Sequence, residues 1–325
     1  MQAIKTDFTR YNSVFRRISL LLVVLLVAVM ASRAQYDPSF SHYWAMEPSF
    51  NPAAVGKESK LNVAAAYNMT MVGFTHNPKT IYAAADMPFY LIKNYHGVGL
   101  QIGNDQIGLF RHQKLALQYA YKHRLFGGTI SAGIHVGILS ESFDGSGVDL
   151  DQPGDPAFST SEISGTGFDL GVGIYYKGRN WYAGVSAQHL NSPTVNLGET
   201  NELSISGTYY LTGGYNIKLR NPFLTIHTSV LGRTDGVAYR GDVTARLRYT
   251  HEQRVMYAGV SYSPTNSVSL LLGGTIHGIN IGYCYEAYTS ALSFGNGSHE
   301  LFVGYQTEIN LFKKGRNRHQ SVRIL

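Results

Sequence analysis

Few residues in this chain are placed to do chemistry. The stretch FDGSGVDLDQPGDPAF (143–158) gathers Asp144, Asp149, Asp151 and Asp155 around Gly145 and Gly147. Hard oxygen ligands on a Gly-rich turn could hold Ca²⁺, but the spacing departs from the D-x-[DN]-x-[DN]-G loop, so a solvated loop is the simpler reading. The twelve histidines stand singly, with no HExxH and no Cys/His pair at metal spacing; they read as wall, rim or interface residues. Arg240-Gly241-Asp242 spells an adhesion tripeptide, which a glycine entering a hairpin strand explains without function. No serine is singled out beside a histidine, so a lipid hydrolase has no assigned site. The sequence calls for no catalytic residue, no cofactor and no metal ligand, and what remains is binding.

Two segments could bind. DPSFSHYWAMEPSFNPAAVG (37–56) carries Pro38, Pro48 and Pro52 with Phe40, Tyr43, Trp44 and Phe50. Its prolines forbid a regular helix or a central strand, and four aromatics are too much apolar surface to leave in water. Asp37, Pro38, Phe40, Tyr43, Trp44, Phe50, Asn51 and Pro52 are therefore candidate contacts, either to the inside of a larger fold or to a partner. The tail KKGRNRHQSVRIL (313–325) carries Lys313, Lys314, Arg316, Arg318 and Arg323. It is either a frayed, solvated end or an electrostatic handle for an acidic partner.

The N-terminus reads as an address. Lys5, Arg10, Arg16 and Arg17 precede the thirteen residues ISLLLVVLLVAVM, followed by Ser32 and Ala34. This predicts a secretory signal peptide over 1–34, cleaved near Ala34-Gln35; a membrane-spanning helix needs about 20 apolar residues. Residues 1–34 hold five of the 27 Lys/Arg and one of the 21 Asp/Glu, so the rest is near +2 and the body, 35–312, is near −3. The basic balance belongs to the two ends, which argues against a nucleic-acid partner. The single cysteine, Cys284, excludes an intramolecular disulfide.

These segments need elements to hold them, and the rest of the chain is built of strands. VTARLRYT (243–250) sets Val243, Ala245, Leu247 and Tyr249 on one face and Thr244, Arg246, Arg248 and Thr250 on the other. INIGYCYEAY (279–288) and HELFVGYQTEINLF (299–312) repeat the pattern. Fourteen strands are predicted, near 60–68, 79–88, 97–104, 111–123, 128–141, 166–177, 180–190, 204–218, 223–232, 242–251, 254–263, 267–276, 278–287 and 298–311. An even number with short turns at one end and long loops (142–165, 191–203, 288–297) at the other predicts an all-β transmembrane barrel of the outer-membrane type. Connections 89–96 and 264–266 fit that scheme less well. A soluble β-sandwich is the alternative, but it would carry more Lys, Glu and Asp on its outer face than GVGLQIG or FDLGVGIYY do. The expected organisation is leader 1–34, Pro/aromatic segment 35–59, barrel 60–312 and basic periplasmic tail 313–325.

A series of short motifs runs through the chain: Asp37-Pro38-x-Phe40-Ser41-x-Tyr43, Asn51-Pro52-Ala53 with Gly56, Val72-Gly73-Phe74, Pro78-Lys79-Thr80, Gly97-Val98-Gly99-Leu100 and Asp105-Gln106-Ile107-Gly108. It continues through Asp155-Pro156-Ala157-Phe158, Gly173-Ile174-Tyr175-Tyr176, Trp181-Tyr182-Ala183-Gly184-Val185-Ser186, Gly259-Val260-Ser261-Tyr262, Ile281-Gly282-Tyr283 and Ser298-His299-Glu300. In their order and spacing the chain resembles the PorP/SprF family of the type IX secretion system of Bacteroidetes. One departure is Met71, where the family usually places a Trp before Val-Gly-Phe.

The resemblance implies a non-catalytic outer-membrane component that supports secretion and surface attachment of proteins such as gliding adhesins. Its implied partners are periplasmic ring or lipoprotein components, a secreted surface adhesin, or both, in contact with outer-membrane lipid. A passive porin or small-solute channel is the competing expectation, because fourteen strands leave a lumen that must be filled or conduct.

Overall fold

The computed structural model describes residues 37–147, 162–198, 201–252, 254–289 and 296–308. Sixteen strands occur among them: β1 (Leu61–Met69), β2 (Lys79–Leu91), β3 (Asn94–Ile107), β4 (Phe110–Leu125), β5 (Gly128–Asp144), β6 (Glu162–Lys177), β7 (Trp181–Gln188), β8 (Thr194–Leu197), β9 (Asn201–Ser204), β10 (Thr208–Lys218), β11 (Leu224–Thr234), β12 (Tyr239–His251), β13 (Arg254–Ser263), β14 (Ser267–Ile276), β15 (Ile279–Tyr288) and β16 (Ser298–Thr307). Fourteen of these, all but β8 and β9, form a closed antiparallel barrel. Pairing of β1 with β16, Leu61 opposite Thr307 through Met69 opposite His299, closes it. Closure removes the free edges that an open sheet of this size would expose.

The period-two pattern decides which face looks out. On β12, Val243, Ala245, Leu247 and Tyr249 are exposed while Thr244 and Arg246 are buried. On β15, Ile279, Ile281, Tyr283 and Tyr285 are exposed, against buried Cys284 and Glu286. The outside is therefore apolar and the inside polar, the inverse of a soluble barrel and the arrangement a lipid surround requires. Exposed Tyr95, Tyr121, Trp181, Tyr215 and Tyr249 ring the short-turn end; Phe110, Phe168, Tyr209 and Tyr262 ring the other, with Leu117, Ile134, Val185, Leu211, Leu272 and Val303 between. Two aromatic belts around an aliphatic band match the two membrane interfaces.

Three expectations are revised in detail. The awkward 89–96 connection is a tight turn: β2 and β3 run on until Leu91 pairs with Asn94, and Ile92 and Lys93 take φ of 47° and 61°. Two successive left-handed residues make the hairpin turn whose twist suits paired strands. The eighth barrel strand starts at Thr208 instead of 204. The stretch read as open loop 191–203 contains β8, which pairs with β9 as a small hairpin. Its Val195 and Leu197, with Ile205, pack on Leu139 of the barrel wall, so the hairpin folds inward over the long-loop mouth.

Candidate functional site

The barrel interior is occupied by residues 37–57. Asp37 lies at the long-loop end, beside His189, Tyr210 and Arg233. The chain then descends through short 3-10 turns at Tyr43–Ala45, Glu47–Ser49 and Pro52–Ala54, reaches the short-turn end at Lys57, and enters β1. A segment without regular secondary structure leaves its own carbonyls unpaired, and the wall supplies the donors. Gln118 Nε2 donates to Pro48 O (2.7 Å), Gln188 Nε2 to Ser49 O (2.8 Å) and Ser186 Oγ to Phe50 O (2.7 Å).

Asn51 shows why Asn-Pro-Ala occurs here. Its Oδ1 accepts from Ala53 N at 2.9 Å, capping the turn that Pro52 begins. Its Nδ2 donates to Ile174 O (3.2 Å) and Val185 O (3.4 Å) of the wall. Glycine brings wall and segment backbone to backbone. A Cβ on Gly97 would stand 2.2 Å from Val55 O, and one on Gly133 would stand 2.4 Å from Ala53 N.

The aromatics fill the remaining space. Phe40 packs on Tyr82, ring centroids 5.8 Å apart; Phe50 stacks on Tyr210 at 5.6 Å; Tyr43 OH donates to Thr244 Oγ1 at 3.0 Å. Trp44 lies under the Arg246 guanidinium, 3.4 Å from its ring centroid. Of the sequence-predicted contacts, Asp37, Phe40, Tyr43, Trp44, Phe50, Asn51 and Pro52 all meet the lumen wall or the segment itself, while Pro38 is exposed and offers its carbonyl to Arg233. Lys313, Lys314, Arg316 and Arg318 lie outside the described residues, as do leader 1–34 and Asp149, Asp151 and Asp155.

Charge fastens the segment at both ends. At the long-loop end, His189 Nδ1 meets Asp169 Oδ1 (2.8 Å) and His189 Nε2 meets Asp37 Oδ1 (3.1 Å). Asp169 Oδ2 also accepts from His135 Nε2 (2.9 Å) and pairs with Lys114 (3.2 Å). Tyr210 OH donates to Asp37 Oδ2 at 2.5 Å, and Arg233 donates to Asp37 O at 2.9 Å. Burial alone would lower the His189 pKa, but the two carboxylates at its two nitrogens raise it to about 9. Burial would likewise raise Asp37, yet the His189 imidazolium and Lys114 hold its carboxyl well below the usual range. At the short-turn end, Lys57 pairs with Glu47, which also accepts from Tyr175 OH (2.9 Å). Gly56 N donates to Asp86 Oδ2 at 2.7 Å. A few residues below Asp37, Glu300 accepts from Ser41 N (2.6 Å), His42 N (2.9 Å) and His42 Nδ1 (2.6 Å).

Two cavities lie on opposite sides of the segment. The one toward the long loops is small, about 90 Å³, and is lined by Phe40, Tyr43, Phe50, Tyr82, Lys114, Leu139 and Arg233 among others. The one toward the short turns is about 500 Å³, with Trp44, Glu47, Lys57, Trp181, Arg246, Arg248 and Tyr257 in its wall. Among the described residues no group of three or more His, Cys, Asp or Glu could hold a metal ion. Arg240 and Asp242 of the tripeptide pair with each other at 3.2 Å on β12, so the motif is not displayed on a loop. Met71, at φ 52°, donates its N–H to Ser298 Oγ (3.2 Å) in the long-loop rim.

Sequence reasoning missed His189, Asp169, His135, Glu300 and Glu47. His135, Asp169 and His189 meet when β5, β6 and β7 pair, and the segment reaches them, Glu300 and the wall around Glu47 only when it threads the lumen. The available signal was a charged or histidine residue on the minority, inward face of each strand, as at His135 and Asp169.

Fold and lumen together define an outer-membrane-type β-barrel whose interior is crossed by its own N-terminal segment. The chain matches the family described as Type IX secretion system membrane protein PorP/SprF over residues 32–305. It belongs to that family. Among solved structures it is similar to the CymD monoaromatic hydrocarbon channel, with a TM-score of 0.52 and 11% identity over 82% of this chain and 93% of that one. A Pseudomonas aeruginosa FadL homologue aligns with a TM-score of 0.45 and 10% identity, over 79% and 91% of the two chains. At such identities the likeness concerns the fold alone. A search of curated protein sequences returned no significant match.

Proposed function

We propose that this barrel is a plugged, non-catalytic scaffold of type IX secretion, acting through protein–protein contacts to support export and surface attachment of proteins such as gliding adhesins. The observation that carries this reading is the lumen segment itself. It is bonded to the wall along its length and charge-locked at Asp37 and Lys57, which suits a fixed framework, with one cavity on either side of it. Contacts with exported protein fall to the long-loop rim, and contacts with periplasmic ring or lipoprotein components to the short-turn rim and the tail with Lys313, Lys314, Arg316 and Arg318.

Cleavage of a signal peptide near Ala34-Gln35 fits the path of the segment. Asp37 sits at the long-loop end, so an uncut leader would have to emerge on the outer side of the membrane. Isolation from its own outer membrane in mild detergent tests the scaffold reading. Secretion-system components or a surface protein should co-purify in stoichiometric amount, and a barrel that repeatedly comes away alone would contradict it.

The second reading is a passive porin or small-solute channel. The CymD structure that the chain resembles in fold is described as a monoaromatic hydrocarbon channel, and the cavities would be the remains of a path. It requires that residues 37–57 move aside.

A further inference from the structure

The cavity at the short-turn end has a property the scaffold reading does not use. Two of its lining residues hold buried hydrogen-bond donors with no protein partner, Trp44 Nε1 and Arg246 Nε, and a third, Asn280, holds an unpaired acceptor, Oδ1. Arg246 is 9% exposed. Buried polar atoms are rarely left unpaired, and a water or another polar group completes those that are. Indole N–H and guanidinium N–H can only donate, so the missing group is an acceptor.

The two donors belong to one cluster. Arg246 lies face-on over Trp44, and Trp44 meets Tyr257 edge-on with ring centroids 5.4 Å apart. With its flat face covered, the guanidinium has its edge left to offer, and that edge matches a planar two-oxygen acceptor.

Charge in the cavity points the same way. Lys57 is matched by Glu47 and Lys177 by Glu58, and Asp86 accepts from Gly56 N and Asn62 Nδ2. Arg179, Arg246 and Arg248 line the same space and, among the described residues, have no carboxylate within ion-pair distance. At about 500 Å³ the cavity is many times larger than a lone water-sized ion needs, and Trp181, Tyr182 and Val255 give it apolar wall.

We propose that this vestibule is a receptor for a carboxylate borne on a polypeptide, an acidic side chain or chain terminus entering from the short-turn side, with Trp44, Arg246 and Arg248 as its donors. The proposal stands on the cavity alone, so its failure would leave the scaffold reading intact, and absence of co-purifying partners would not bear on it.

The protein carries its own probe, since its two tryptophans, Trp44 and Trp181, both line this cavity. With Trp181→Phe in the full chain, Trp44 emission would be followed in detergent while an N-acetylated tetraglutamate peptide is added, with tetraglutamine, sodium acetate and inorganic phosphate as comparisons. The glutamate peptide should give a saturable change and the glutamine peptide none. Arg246→Gln should weaken binding about tenfold or more, the scale of one charge-assisted hydrogen bond. Arg248→Gln, at an exposed position of the same lining, should weaken it about threefold, and it carries the test if Arg246→Gln does not fold. Equal response to tetraglutamine, or no saturable response to any anion, would overturn the site. Saturation by acetate or phosphate at the affinity of the peptide would assign it to free anions and overturn the polypeptide ligand.

Discussion

His189 Nε2 stands 3.1 Å from Asp37 Oδ1, joining the residue that follows β7 to the head of the lumen segment. Because the other ring nitrogen faces Asp169 at 2.8 Å, both nitrogens need their protons, and the ring is held as an imidazolium between two carboxylates. The pair is the upper fastening of the segment, and it titrates.

A pH window follows from its sign. His189 is raised from 6.5 to about 9, so its contribution is complete below about 6.5 and is lost as pH rises through 9. Asp37 is lowered from 3.8, so its contribution is present above that value and lost as pH falls below it. The lock is strongest in mildly acidic to neutral solution. Limited proteolysis of the N-terminal segment should accelerate above pH 9 while the barrel stays intact. In His189→Gln the segment should already be cut quickly at neutral pH, without the step near 9.

Glu300 is the next fastening below Asp37. Its carboxylate accepts from Ser41 N, His42 N and His42 Nδ1 at 2.6–2.9 Å and is 3% exposed. Glu300→Ala strands those buried donors and should cost about 3 kcal/mol or more, read as a lower urea midpoint for unfolding in detergent. Glu300→Gln keeps an acceptor and should lose less. Equal midpoints for wild type and Glu300→Ala would remove Glu300 from the account.

The close approach of wall and segment gives a steric prediction. Gly97→Val and Gly133→Val put atoms into the Val55 and Ala53 backbone, which cannot step aside as a flexible side chain would. Both should expel residues 37–56 to protease while the barrel keeps its heat-sensitive gel mobility. Gly241→Ala is the control, with nothing within 4 Å of the added Cβ.

Strands were legible where one face is apolar and the other small or polar: β5, β14 and β15 begin or end within a residue or two of their sequence limits, because lipid and lumen impose opposite demands on alternate residues. The Ile92-Lys93 turn was not, since neither residue advertises the left-handed conformation that Asn-Gly would. The β8–β9 hairpin escaped because each strand is only four residues long. The aromatics of 37–56 signalled that the segment needed cover. What fastens it was hidden, because Asp169, His189 and Glu300 lie more than 130 residues from Asp37 in the chain and meet the segment only when it threads the lumen.

The central claim is that the segment from Asp37 to Lys57 stops the lumen. Planar-bilayer recording of the full chain beside a variant lacking residues 37–52 tests it most directly. The account predicts no steady current from the full chain and a stable open conductance from the deletion, with both barrels folded by gel mobility. A steady open current from the full chain, or a deletion as silent as its parent, would contradict it.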